Sequence, residues 1–357
     1  MSKISYASGK VKIKVVGCGG GGCNAITRMV RAQIHGVEFV AINTDAQHLA
    51  ITEATTRIQI GEGITRGMGA GGDHTVGRRS AEETREELKQ AIYGADMVFV
   101  AAGMGGGSGT GSAPIVAEIA KRNGALTIGI VTLPFAFEGA RRMKVAEQGI
   151  EELSKAVDTL IVIPNDKLLT LADQRTAVNG AFAMADNILQ QGVRAITEVL
   201  MAPGLINLDF ADIRAIMKDC GPAWLSVGAA SGTNRAKDAA REALSSPLLT
   251  TSIKGAKGVL YHIAGGSNLT LFEVNDAAEE IKKGVDPDAN IIFGVIIDPN
   301  MDKEVRLTLI ATGLENGHAP GLGTDKAEAK IMQTLKTTDK EKLDTPAYMR
   351  YQRPRRN

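Results

Sequence analysis

A chain of 357 residues is too long for one ordinary core and suits two domains. Its charges balance, 41 Lys and Arg against 40 Asp and Glu, so no global field draws it to nucleic acid or to an anionic membrane. Aromatic residues are only 4%, which argues against a base-stacking platform, and three cysteines (Cys18, Cys23, Cys220) make no disulfide framework and point to a reducing compartment.

The first ten residues read as a flexible terminus with no signal-peptide apolar core, and no apolar run approaches membrane-spanning length. The sequence therefore predicts a soluble cytoplasmic protein. KIKVVG (12–17) predicts a strand, followed by a helix over 24–33. VEFVAIN (37–43), MVFVAAG (97–103), LTIGIVTLP (126–134) and TLIVIPN (159–165) predict further strands, separated by helix-length segments. Such near-continuous apolar strands imply a Rossmann-like parallel sheet covered on both faces, over residues 11–175. A long helical pattern runs from Thr176 to Met201 and stops at Pro203 and Gly204, giving a central helix over 176–203. AWLSVGAASG, GVLYHIAGG, NIIFGVIIDP and EVRLTLIATG then predict a second, smaller α/β domain over 204–316. Residues 317–342 read as a polar linker. The last segment, 343–357, regains apolar residues and adds four arginines, so that residues 318–357 hold nine Lys and Arg against five Asp and Glu.

Three glycine-rich stretches stand between these elements. GCGGGGCNA (17–25) and GMGGGSGTGSAP (103–114) each join a strand end to a helix start, and GITRGMGAGGDHT (63–75) precedes another helix, with Asp73 placed to cap it. Glycine lets backbone N–H groups approach phosphate oxygens, and a helix N-terminus adds favourable partial charge. Loops at the carboxyl ends of one parallel sheet converge on one crevice. Gly17, Gly19 and Gly22 with Asp45 fit a dinucleotide fingerprint, which keeps an NAD-dependent oxidoreductase as an alternative. An NAD site needs only the first loop, whereas a triphosphate uses all three. No G-x-x-x-x-G-K-[ST] is present, so phosphate binding rests on backbone amides and a metal. The five histidines are scattered, without metal-ligand spacing, and read as surface or packing residues.

GMGGGSGTGSAP resembles the signature loop of the tubulin/FtsZ GTPase family, and KIKVVGCGGGGCNAI, AINTDAQ, PFAFEGARRM, VIPNDKLL, NLDFADIRAIM and RLTLIATGL continue the likeness to its bacterial division GTPases over residues 11–316. The resemblance implies GTP or GDP as the bound nucleotide, with Mg2+ beside the phosphates held mainly by phosphate and water, and no metal site of the protein's own. By it, Gly20, Gly21, Gly22, Cys23 and Asn24 contact the nucleotide, and Ala70 and Gly71 lie near the γ-phosphate. Gly106, Gly107, Ser108, Gly109 and Thr110 wrap the phosphates. Glu138 and Arg142 hold the ribose side, Asn165 and Asp186 recognise guanine, and Phe182 packs on the base. Asp209 and Asp212 are catalytic in trans, inserted into the neighbouring subunit's site. Taken alone, each has a plainer reading: Asp186 as a solvated helix residue, Phe182 as core, Glu138 and Arg142 as a surface pair, Asn165 as a turn cap, and Asp209 and Asp212 as an N-cap and a first-turn acid.

The implied partners are other copies of the chain, joined head to tail into filaments at a mid-cell division ring, and adaptor proteins docking on the C-terminal tail, with the membrane engaged only indirectly and no nucleic acid. A filament scaffold that binds GTP without turning it over is a further alternative. Cys23 stands where the family usually has glycine, which implies sensitivity to oxidation, and Ser108 where it usually has threonine.

Overall fold

The computed structural model describes residues 11–170, 177–201, 209–249, 253, 255–298 and 301–314. All belong to one compact unit, Met1–Gly321. The expected linker and C-terminal peptide, and the start of the central helix, lie outside the described residues.

In chain order the elements are β1 (Ile13–Cys18), α1 (Gly19–Arg31), β2 (Val37–Asn43), α2 (Ala46–Ile51), β3 (Thr56–Gln59), α3 (Glu62–Thr65), α4 (His74–Glu83), α5 (Arg85–Ile92) and β4 (Met97–Gly103). Then come α6 (Ser108–Arg122), β5 (Leu126–Leu133), a 3-10 turn (Ala136–Glu138), α7 (Ala140–Ala156), β6 (Thr159–Pro164), α8 (Asn165–Leu169) and α9 (Val178–Met201). The remainder is α10 (Phe210–Met217), β7 (Gly221–Ser231), α11 (Arg235–Leu244), β8 (Gly258–Gly265), α12 (Leu271–Gly284), β9 (Asn290–Ile297) and β10 (Glu304–Thr312).

The ten strands among the described residues form one sheet in the order β3-β2-β1-β4-β5-β6-β7-β10-β8-β9. Strands β1 to β6 are parallel, so their carboxyl ends share one edge. The order reverses between β1 and β4, which opens a crevice at their carboxyl ends. β7 continues the sheet by pairing parallel to β6, Thr159 opposite Gly221 through Ile161 opposite Ala223. Beyond it, β10 runs antiparallel to both β7 and β8. The second half is thus joined to the first by strand pairing as well as by the central helix.

Side chains alternate between the two faces of the sheet. On one face, Val15, Phe99, Ile128, Ile161, Leu225, Leu260 and Ile310 share a core with Ile26 and Met29 of α1, Leu189, Val193 and Ile196 of α9, and Ile213 and Ile216 of α10. A second cluster lies in the C-terminal half, where Ala236, Ala239, Ala240 and Ala243 of α11 and Ala277 and Ile281 of α12 meet Tyr261, Leu307 and Leu309. The alanines of α11 let it lie close: a Cβ at Gly228 of β7 would stand 2.1 Å from Ala239 O.

Three local differences from the sequence reading have physical causes. The first helix starts at Gly19, not Asn24, so the glycines form its opening turn. α6 starts at Ser108 and carries Pro114 inside it; the ring's φ suits a helix, and the loss is one backbone hydrogen bond. β3, a four-residue edge strand TRIQ, was too polar to stand out.

Candidate functional site

The three glycine loops meet at the β1/β4 crevice, backbone against backbone. A Cβ at Gly19 would stand 2.4 Å from Gly109 N, and one at Gly21 3.2 Å from Gly103. One at Gly107 would meet Ala70 at 2.8 Å and Asp73 N at 2.9 Å, and one at Gly111 would meet His74 O at 2.1 Å. These glycines let the loops touch. Gly20, Gly71, Gly72 and Gly106 are different, because a Cβ on them would enter open space. Gly71 and Gly72 also hold φ of +58° and +78°, a region that favours glycine. The result is a cradle with a backbone floor beside the N-terminal turns of α1 and α6, suited to an anion.

Side chains brace this cradle from behind. Thr44 Oγ1 and Ser108 Oγ share a hydrogen bond of 2.5 Å, and Ser112 Oγ donates to Ser108 O at 2.6 Å. Gly105 N donates to Thr110 Oγ1 at 2.9 Å. Thr110 is buried, and its hydroxyl is spent on fixing the loop. Asp73 caps α4, accepting from Thr75 N at 2.8 Å and from the Thr75 hydroxyl at 2.7 Å, and these bonds lower its carboxyl below the ordinary range.

Cys23 requires a correction. Its side chain is fully buried on the sheet, with Sγ 3.6 Å from Ile42 O, and burial pushes the thiol up to about 12. It presents no side chain to the cradle, and a buried thiol of that pKa resists oxidation. Asp45 is likewise not a ribose-binding acid here. Its carboxylate accepts from Gln47 N and His48 N and caps α2. His48, read as an ordinary surface residue, instead bonds Asn24: its Nε2 lies 3.0 Å from Asn24 Oδ1, which orients the amide beside the first loop.

A group of side chains with different chemistry follows β5 and β6. Asn165, the first residue after β6, is 3% exposed, and its Oδ1 finds no hydrogen-bond partner among the described residues. An orphaned buried acceptor has room for a further donor. Phe135 stacks on Phe137 at 4.9 Å and meets Phe182 edge-on at 5.4 Å, and Phe137 and Phe182 remain exposed. Asp186, one helical turn beyond Phe182, is bridged by Arg28 Nε at 2.9 Å. Burial raises the Asp186 carboxyl to about 6 despite the opposing pull of Arg28. Beside this pair, α1 and α9 leave a groove of about 700 Å³ that Asn24, Thr27, Arg28 and Asn187 help to line. Glu138 accepts from Phe135 N at 2.8 Å and pairs with Arg142 at 3.1 Å; the acid is held inward and the guanidinium faces out. Arg28, Phe135 and Phe137 escaped the sequence reading. The four-residue spacing of Arg28 from Asn24 on α1 was the available signal.

Asp209 and Asp212 lie elsewhere. Both are exposed at the start of α10, where Asp209 N donates to Asp212 Oδ2 at 3.3 Å. The other end of α10 is fastened to the amino edge of the sheet. Thr159 Oγ1, at the start of β6, donates to Met217 O, and Thr312 Oγ1 donates to Ile216 O at 3.0 Å. A Cβ on Gly258, the first residue of β8, would meet Ile216 at 3.1 Å. Eight helical residues span about 12 Å, while the six residues of β6 span about 20 Å. The two carboxylates therefore cannot reach the cradle of their own chain.

Residues 12–173 match the family model for the tubulin/FtsZ family GTPase domain, and residues 221–315 the model for the FtsZ family C-terminal domain. A structure of an FtsZ dimer from M. jannaschii is 48% identical with a TM-score of 0.83, over 86% of this chain and 89% of that one. A structure of a mutant of M. jannaschii FtsZ is likewise 48% identical with a TM-score of 0.83, covering 86% of this chain and 92% of that one. A GDP-bound CetZ1 monomer from Haloferax volcanii, 22% identical, superposes with a TM-score of 0.74 over 91% of this chain and all of that one, a likeness of fold. The FtsZ structures come from an archaeon, so they carry the family and not the bacterial source that the motifs implied. The dinucleotide-enzyme alternative finds no support among these relatives.

Proposed function

Because the chain belongs to the tubulin/FtsZ family of GTPases, we propose that its cradle holds the phosphates of GTP and that hydrolysis waits on a second copy whose Asp209 and Asp212 complete the site. The observation that carries this reading is the distance between the two halves: the cradle is at the carboxyl edge of the sheet, and α10 is anchored at the amino edge. A site split between opposite edges requires head-to-tail contact, and such contacts need not close, so they build filaments. Self-association runs in the family, since the M. jannaschii FtsZ is described as a dimer and CetZ2 of Haloferax volcanii as a GTPγS-bound protofilament.

Guanine fits the side-chain pocket. An ionised Asp186 accepts from the base N1–H and amino group, a donor pair that adenine lacks, and the unpartnered Oδ1 of Asn165 takes a further donor. Phe182 offers its exposed ring to the base. Glu138, held by Phe135 N, and its partner Arg142 face the ribose side. Gly20, Gly71 and Gly106 present open backbone to the phosphates. Hydroxyls and backbone amides stand around the cradle, and among the described residues no three His, Cys, Asp or Glu side chains are placed to hold a metal ion together. A magnesium ion would be held by phosphate oxygens and water, neutralising charge on the transferring phosphoryl group. Asp209 and Asp212 of the neighbour orient the attacking water, since phosphoryl transfer needs positioning and charge stabilisation more than covalent chemistry. The filament serves the division ring at mid-cell, with adaptors docking on residues 343–357.

Mixing two inactive variants tests the shared site. Asp212→Ala keeps the cradle and loses a carboxylate. Gly106→Val fills the open cradle and keeps both carboxylates. Each alone should lose turnover by about 100-fold or more. Mixed, they should regain part of it, because one of the four possible junctions joins an intact cradle to intact carboxylates. Two folded variants that stay inactive when mixed would contradict the shared site.

A further inference from the structure

α6 begins in the cradle and ends at the opposite edge of the sheet. Its last turn carries Lys121, whose ammonium meets three acceptors at once: Asp158 Oδ1 at 3.1 Å, Asp219 Oδ1 at 2.9 Å and Val157 O at 3.2 Å. Asp158 is the buried member, its side chain only 4% exposed, and its other oxygen accepts from Thr127 N at 2.9 Å at the start of β5. Its backbone carbonyl accepts from Gly221 N at 2.9 Å, where β7 begins. Asp219 is outermost, its side chain 62% exposed, and it stands two residues beyond α10 with a φ of +52°. A non-glycine residue in that region is uncommon and persists when its surroundings hold it. Lys121 does so here, and lowers the Asp219 carboxyl below the ordinary range.

We propose that Lys121, Asp158 and Asp219 form a charged clasp that positions α10, and so sets where Asp209 and Asp212 stand for the neighbouring subunit's nucleotide. The clasp grips the turn at which the chain leaves α10 for β7. It fixes this turn to α6 on one side and to the β5 and β6 starts on the other. Thr159 and Thr312 also hold the helix through the carbonyls of its last two residues, and Ile213 and Ile216 seat one face of it in the core; the clasp adds the fastening of the turn that follows. A short helix carrying reactive groups at its far end amplifies a small tilt, and a misplacement of about 1 Å costs on the order of 100-fold in rate. Lys121 touches no nucleotide and is a positioning residue.

The inference rests on the shared-site reading, and mixing experiments separate the two. Lys121→Met should bind a fluorescent GTP analogue like the parent and assemble normally with a slowly hydrolysed analogue, while turnover per assembled subunit falls about 10-fold or more. Lys121→Arg, which keeps the charge, should recover most of the loss. Supplied with carboxylates by Gly106→Val subunits, the cradle of Lys121→Met should hydrolyse GTP as fast as the Asp212→Ala cradle does. Asked to supply carboxylates to Asp212→Ala, Lys121→Met should fail. Equal loss in both directions, or no loss in either, overturns the clasp while the shared site stands. Failure of the Gly106→Val and Asp212→Ala mixture removes the shared site, and the clasp's role with it.

Discussion

The two edges of the sheet are built by opposite means. At the carboxyl edge, glycine removes side chains so that three loops can touch and leave a backbone floor. At the amino edge, charged and hydroxyl side chains (Lys121, Asp158, Asp219, Thr159, Thr312) fasten a helix that carries two exposed acids. The difference teaches where each edge is vulnerable. A cradle made of backbone fails when atoms are added, whereas a fastening made of side chains fails when atoms are removed.

The largest expected effect comes from adding one carbon where the loops touch. Gly111→Ala would place Cβ 2.1 Å from His74 O and 2.4 Å from Arg78 N, both backbone atoms that cannot swing away. It should cost at least about 2 kcal/mol in thermal unfolding and lose GTP binding with the cradle's shape. Gly20→Ala adds the same carbon to open space, so its melting curve should match the parent while its GTP affinity falls. If both variants melt alike, the division between contact glycines and ligand glycines is wrong.

A smaller effect sharpens the comparison inside the carboxyl edge, where the base pocket alone relies on charge. In the proposed reading Asp186 accepts both guanine donors only when ionised, and its carboxyl is raised to about 6. GTP affinity should therefore hold above pH 7 and weaken as pH falls through about 6. Arg28 opposes that rise, so Arg28→Met should move the weakening toward neutral pH. Equilibrium binding measured across pH reads both curves, and superimposable curves would show that Arg28 does not sustain the charge. The smallest effect concerns the thiols. Burial raises Cys18 and Cys23 and leaves Cys220 only partly covered, so a thiol reagent on the native protein should modify Cys220 alone. Mass spectrometry after brief alkylation reads the result.

What the sequence disclosed follows the same division. Glycine between an apolar strand and a helix has a local meaning, so the cradle and the parallel strands β1, β2, β4, β5 and β6 were readable without any relative, while the polar edge strand β3 was not. Asn165 and Asp186 had ordinary local meanings, and only a resemblance gave them a base to recognise. Arg28 was missed because its partner lies 158 residues away, and His48 because its bond to Asn24 depends on how α1 and α2 pack. Cys23 was misjudged for a related reason: its loop position suggested exposure, while the helix that starts at Gly19 turns its thiol toward the sheet. The pairing of β6 with β7 left no local mark either, since it involves only three residues on each strand.

The central claim is that the nucleotide of one subunit is hydrolysed with carboxylates from another. Phosphate release per subunit, measured from dilute to concentrated protein at saturating GTP, tests it most directly. The account predicts almost no turnover in dilute protein and a steep rise in specific activity as head-to-tail contacts form. A specific activity that stays constant across the whole range would contradict it.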